Sequence, residues 1–147
     1  MPIEWLGTYE KIADVVKDFG LDAYIPHIQT PKNVGHTIGE IRGSINDDDK
    51  FHRDVLHNDI FQVENSVLVI AEVSNPSIGV GIELGVAFKT GKPVVLLAEM
   101  DAKVTPLAIG AAQAGLAYII RYASQEDALL QLRNILERKF NHLIETE

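Results

Sequence analysis

Apolar residues fall at helical spacing over residues 8–19 (TYEKIADVVKDF): Ile12, Val15, Val16 and Phe19 share one face, and Gly20 ends the run. The next segment, LDAYIPH (21–27), reads as a short strand closed by Pro26. Residues 28–48 carry Pro31, Gly35, Gly39 and Gly43 and read as a loop. The acidic run Asp47-Asp48-Asp49 at its end is placed to cap a helix over about 49–64, with Phe51, Val55, Ile60 and Val63 as apolar positions. VLVIAEV (67–73) is unbroken and β-branched, the pattern of a strand buried on both faces. SNPSIGVG (74–81) is turn-rich, and IELGVAFKT (82–90) predicts a helix ending at Gly91. PVVLLAEM (93–100) is a second buried strand, TPLAIGAAQAG (105–115) a helix of small residues, and LAYIIRY (116–122) a third strand. Residues 124–144 predict a long amphipathic helix with Leu129, Leu132, Ile135, Leu136, Phe140, Leu143 and Ile144 inward.

Strands alternating with helices predict a parallel sheet covered on both faces, and such sheets bind ligands beyond the carboxyl ends of their strands. Loop 74–81 joins a buried strand to a helix and is the first candidate for a site. In doubly wound folds a strand usually precedes the first helix. Here MPIEWLG offers only Ile3-Glu4-Trp5-Leu6, beside Pro2. The first strand is therefore expected to be short or missing: either the sheet is built differently, or the chain begins downstream of its natural start.

The 147 residues fit a single domain, 1–147, with no linker or repeat. A chain 46% hydrophobic and 23% charged is an ordinary packed globule rather than a disordered one. Thirteen Lys and Arg against twenty-one Asp and Glu give a net charge of −8, with no basic cluster. That argues against a nucleic-acid or anionic-membrane partner. A small anionic ligand stays open, because helix N-termini and loop amides bind phosphate without Lys or Arg. The absence of cysteine removes disulfides and thiolate nucleophiles and fits a cytoplasmic protein. No apolar run reaches the roughly 18 residues of a membrane span, and the N-terminus lacks the features of a signal peptide.

Chemistry concentrates after the first buried strand. Gly79 and Gly81 let the backbone approach a ligand, and a helix N-terminus favours negative charge. Glu83 reads as a first-turn residue that the helix field keeps ionised, as a nucleophile requires; the plain alternative is a Glu that only stabilises the helix. Gly79, Gly81 and Gly85 do not make a GxGxxG fingerprint. Asp59 is a second candidate carboxylate. Asp54 on the same helix points elsewhere, and His57 is near enough in sequence to line the same cleft. His27, His36, His52, His57 and His142 form no HxxxH or HExxH, and neither a GxSxG elbow nor a P-loop is present. No metal ion or cofactor is expected.

Asp59, the block VLVIAEVSNPSIGVGIELGVAF (67–88) and Gly91-Lys92-Pro93-Val94-Val95 together resemble the nucleoside 2-deoxyribosyltransferase family, nearest its branch that hydrolyses 2′-deoxynucleoside 5′-monophosphates. Tyr9-Glu10-Lys11-Ile12 and Val104-Thr105-Pro106-Leu107 extend the likeness more faintly. The resemblance implies an α/β, flavodoxin-like (Rossmann-like), doubly wound parallel sheet of four to five strands. It implies cleavage, by hydrolysis or transfer, of the N-glycosidic bond of a 2′-deoxynucleoside or its 5′-monophosphate, without a cofactor. Glu83 matches the nucleophile that attacks C1′, and Asp59 the residue that helps the base leave. Ser77, with Asn75, Gly79 and Gly81, matches the substrate loop; Thr105 matches a residue reaching a neighbouring subunit's phosphate site. Two carboxylates about 5 Å apart suit retaining glycoside chemistry. Nothing in residues 1–8 resembles the family's first-strand substrate loop. Two other readings therefore stay open: a non-catalytic nucleotide-binding or sensor module, and a chain whose fold is completed by dimerisation.

Segment 105–115 bears on assembly. Leu107, Ile109, Ala111, Ala112 and Ala114 are too many apolar positions for one stripe. With the family likeness, this predicts a homodimer or higher homo-oligomer with helices 49–64, 82–90 or 105–115 in the interface.

Overall fold

A computed structural model describes residues 6–141. The strand expected at Ile3-Glu4-Trp5, and His142, Leu143 and Ile144 at the end of the last predicted helix, lie outside the described residues. Within them the order is α1 (Leu6–Asp18), α2 (Pro26–Val34), α3 (Ile38–Gly43), α4 (Phe51–Glu64), β1 (Val69–Glu72), α5 (Ile78–Lys89), β2 (Val94–Glu99), α6 (Pro106–Gln113), β3 (Tyr118–Tyr122) and α7 (Gln125–Lys139).

The three strands form one parallel sheet in the order β1-β2-β3. Val69 pairs with Val94 and Glu72 with Leu97; Val95 pairs with Tyr118 and Glu99 with Tyr122. Central β2 explains the layering. Its side chains alternate with period two, and both sets are buried. Val95 and Leu97 pack with α1 and α7 through Ile12, Val16, Leu132 and Leu136. Val94, Leu96 and Ala98 pack on the other face with Val63 of α4, Leu84 and Ala87 of α5 and Ala108 of α6. Both crossover helices, α5 and α6, therefore cover the same face, as successive parallel strands stepping in one direction require. Leu132 is fully buried among these side chains. Leu132→Ala should cost about 3 kcal/mol of stability, read as a lowered urea midpoint; a loss below about 1 kcal/mol would contradict this packing.

The structure corrects five sequence expectations. Residues 21–25 are extended but make no strand, so the sheet has three strands among the described residues rather than four or five. Leu21, Ala23 and Ile25 do pack inward with strand periodicity, but a strand also needs a ladder partner. Residues 28–48 are not one loop, since 28–34 and 38–43 are helical and only 35–37 and 44–48 are irregular. Pro26 starts α2 rather than ending a strand, because proline's fixed φ suits the first helical position. Gly35, at φ 77°, closes α2 in the left-handed conformation. Thr37 and Glu40 then form a reciprocal capping box on α3. The acidic run does not cap α4, whose N-cap is Lys50 without a side-chain bond. Asp49 instead accepts a 3.0 Å hydrogen bond from Ser44 Oγ. β1 is only partly buried, since no strand flanks its outer side among the described residues. Finally, α5 begins at Ile78 rather than at residue 82.

No helix among the described residues is long and apolar enough to cross a membrane.

Candidate active site

The early start of α5 sets the site's geometry. Ser77 is its N-cap, and the Ser77 hydroxyl accepts a hydrogen bond from the Val80 N–H at 3.3 Å. Glu83 thus lies in the second helical turn, where the helix field has largely decayed. Glu83 lines a cavity of about 550 Å³ that runs along the length of β1, between α1, α4, α5 and the extended segment 21–25. Among the described residues, Tyr9, Tyr24, Asp59, Glu72, Val80 and Glu83 contribute to its wall.

Asp59 enters from α4 and Glu83 from α5, two helices packed against each other. Burial, and then the charge of Asp59, push Glu83 up to about 7. The expectation that the helix keeps Glu83 ionised is therefore corrected: near neutrality it is a carboxyl poised between its two forms, a state suited to acid–base and nucleophilic work.

The other expected residues are distributed less centrally. Asn75 is exposed in the loop, Ser77 is occupied as a cap, and Gly79 and Gly81 lie on the exposed side of the first turns of α5. Thr105 sits just before α6, exposed, with no side-chain capping bond. None of these five is on the cavity wall, although Val80 between the glycines is. Asp54 and His57 are exposed and also off the wall.

The structure adds groups that the sequence reading passed over. Glu72 is buried at the end of β1, where strand parity turns it toward α1. It accepts hydrogen bonds from the Tyr122 hydroxyl and the Ser74 N–H, both at 2.5 Å. Burial and then Glu72 hold the Tyr122 hydroxyl above its ordinary range. Tyr9 is buried on the same wall, and burial, then Glu72 and Glu83, raise its phenol. A single charge closing the apolar run 67–73, at the strand end where ligands bind, was the available signal for Glu72. Asp59 itself is held by Thr30 and Asn58, whose side chains donate to its Oδ1 at 2.8 and 3.1 Å. No group of three or more His, Asp and Glu side chains converges as a metal-ligand set among the described residues.

Comparison with known proteins bears on this geometry. The family model described as nucleoside 2-deoxyribosyltransferase matches residues 6–138. A Thermofilum pendens protein carrying the name 2′-deoxynucleoside 5′-phosphate N-hydrolase 1 is 46% identical over 46 residues, 31% of this chain. That match spans only 32% of the relative's own length. Among solved structures, the Clostridium botulinum CMP N-glycosidase BcmB superposes with a TM-score of 0.53 at 25% identity. The superposition covers 56% of this chain and 74% of that one.

Proposed function

This chain belongs to the nucleoside 2-deoxyribosyltransferase family, and from that premise we propose that it cleaves the N-glycosidic bond of a 2′-deoxynucleoside or its 5′-monophosphate, by hydrolysis or transfer. The observation that carries this reading is the pairing of Asp59 and Glu83 on one cavity wall, with Glu83 drawn up to about 7 by burial and by Asp59. The names of the two relatives, an N-hydrolase and an N-glycosidase of nucleotides, support it.

Glu83 holds its proton into the neutral range, and that proton can pass to its carboxylate neighbour. The reactive form carries that proton on Asp59 and leaves Glu83 ionised. Glu83 attacks C1′, forming a C1′–O ester bond. The C1′–N bond breaks, and its electron pair leaves with the base, which takes the proton from Asp59. A water molecule, or a second base in transfer, then attacks C1′ and frees Glu83, while Asp59 takes back the proton. The start of α5, with Asn75, Ser77, Gly79 and Gly81, serves the sugar-phosphate end of the substrate.

Incubation with 2′-deoxynucleosides, their 5′-monophosphates and CMP, with free base quantified, tests the proposal. Free base from any deoxy substrate supports it. Nucleotide binding without free base from any of them would leave the non-catalytic module in its place.

The same reading includes a homodimer or higher homo-oligomer. Ala108 and Ala111 of α6 are spent on the chain's own core, but Ile78 and Leu107 are each 85% exposed and Phe61 59% exposed. These residues stand on α5, α6 and α4, the helices assigned to the interface. Light scattering at micromolar concentration should give the mass of two or more chains; the mass of one chain would refute the assembly.

A further inference from the structure

We propose that Thr30, assisted by Asn58, is a positioning residue that engages one oxygen of Asp59 and leaves the other as the only oxygen free to carry the transferable proton. The proposal rests on Asp59 being the acid that protonates the leaving base.

Thr30 sits on α2, 4% exposed and off the cavity wall. Its hydroxyl donates to Asp59 Oδ1 at 2.8 Å, across 29 residues of sequence. A hydroxyl has one proton to give, so the 2.7 Å contact between Thr30 Oγ1 and the Tyr24 hydroxyl has tyrosine as the donor. Asn58 Nδ2 lies 2.7 Å from the Tyr24 oxygen, 3.1 Å from Thr30 Oγ1 and 3.1 Å from Asp59 Oδ1. Asn33 Nδ2 is 3.2 Å from the Tyr24 oxygen and 3.0 Å from Asn58 Oδ1. The Tyr24–Thr30 relay ends on Oδ1, and the Asn58 amide, with two protons for three acceptors, is shared among the Tyr24 oxygen, Thr30 Oγ1 and that same Oδ1. A proton on Oδ1 would face two donors and force Thr30 and Tyr24 to turn. Among the described residues Oδ2 receives no hydrogen bond, and Asp59 is part of the cavity wall. The network thus fixes both the plane of the carboxyl and which oxygen meets the departing base.

Thr30→Val keeps the side chain's shape and removes the donor. The probes are 2′-deoxyadenosine 5′-monophosphate, whose base needs a proton to leave, and 7-methyl-2′-deoxyguanosine 5′-monophosphate, whose cationic base leaves neutral without one. Thr30→Val should lower kcat on the adenine substrate about tenfold with KM within about twofold, and change the methylated substrate less than about threefold. Thr30→Ser, which restores the hydroxyl, should return kcat to within about threefold of wild type. Asn58→Ala, on the half-buried face of α4, should show the same pattern at about threefold and carries the test if Thr30→Val does not fold. Three-bond couplings should report one Asp59 rotamer in the wild type and in Thr30→Ser, and averaging in Thr30→Val and Asn58→Ala. Equal slowing of both substrates, no slowing of either, or no recovery with Thr30→Ser overturns the proposal. If the wild type releases no base from either probe, the couplings alone decide the positioning role: averaging upholds it, and an unchanged single rotamer overturns it; the functional reading itself fails only if no 2′-deoxynucleoside or 5′-monophosphate yields free base.

Discussion

Glu83→Gln should reduce base release by about 10³-fold or more and, at the same time, make the protein more stable at pH 8. The amide keeps the shape of the side chain but cannot form the ester to C1′, so the loss falls on kcat. The stability gain follows from the environment of the wild-type carboxyl. Glu83 has an ordinary value of 4.5 when unfolded and about 7 when folded. The folded state therefore holds the proton more tightly, and the stability this group contributes is complete below about 4.5 and lost as pH rises through about 7. At pH 8 the wild type carries a largely buried charge close to Asp59, and glutamine removes it. The variant should gain up to about 3 kcal/mol there, reduced where water reaches the carboxyl. At pH 4.5 the two proteins should melt together. Paired thermal melts at the two pH values check this. A variant that keeps full activity would end the nucleophile assignment; one destabilised at pH 8 would contradict the raised carboxyl.

The sequence carried the sheet more plainly than the segments that frame the site. PVVLL announced a buried strand because both faces of β2 are covered, and Leu132 and Leu136 announced α7 because their spacing fits one helical face. Residues 26–43 misled because Pro26 was read as closing a strand and Gly35 and Gly43 as loop residues, whereas Pro26 begins a helix and Gly35 ends one. The Thr37–Glu40 capping box was present in the sequence as T-x-x-E and could have corrected the reading. Segment 21–25 shows a different limit: alternation tells which side chains turn inward, but not whether a neighbouring strand is there to pair. At the site, Asp59 and Glu83 were visible as motif residues. The cost of burying Glu83 was not visible, because it depends on α4 and α5 packing face to face. The Thr30–Asp59 bond was also hidden, since no local periodicity links residues 29 positions apart.

Asp59→Asn should separate the two chemical demands on the pair. Asparagine cannot supply the proton that an ordinary base needs, so kcat on 2′-deoxyadenosine 5′-monophosphate should fall about 10³-fold. The 7-methylguanine substrate needs no proton and should lose less than about tenfold. The pH profiles add a second, independent sign. In the wild type the adenine reaction should decline above about pH 7, where the proton held by Glu83 is lost, while the methylated substrate should react faster there as Glu83 ionises. The Asp59 charge is one of the causes that raise Glu83, second to burial. Removing that charge should shift the rise for the methylated substrate to lower pH, with burial keeping it above the ordinary carboxyl range. Initial rates on both substrates from pH 4 to 9, for wild type and variant, give the whole comparison. An Asp59→Asn enzyme slowed equally on both substrates, with the methylated profile unmoved, would mean that Asp59 neither protonates the base nor acts on Glu83.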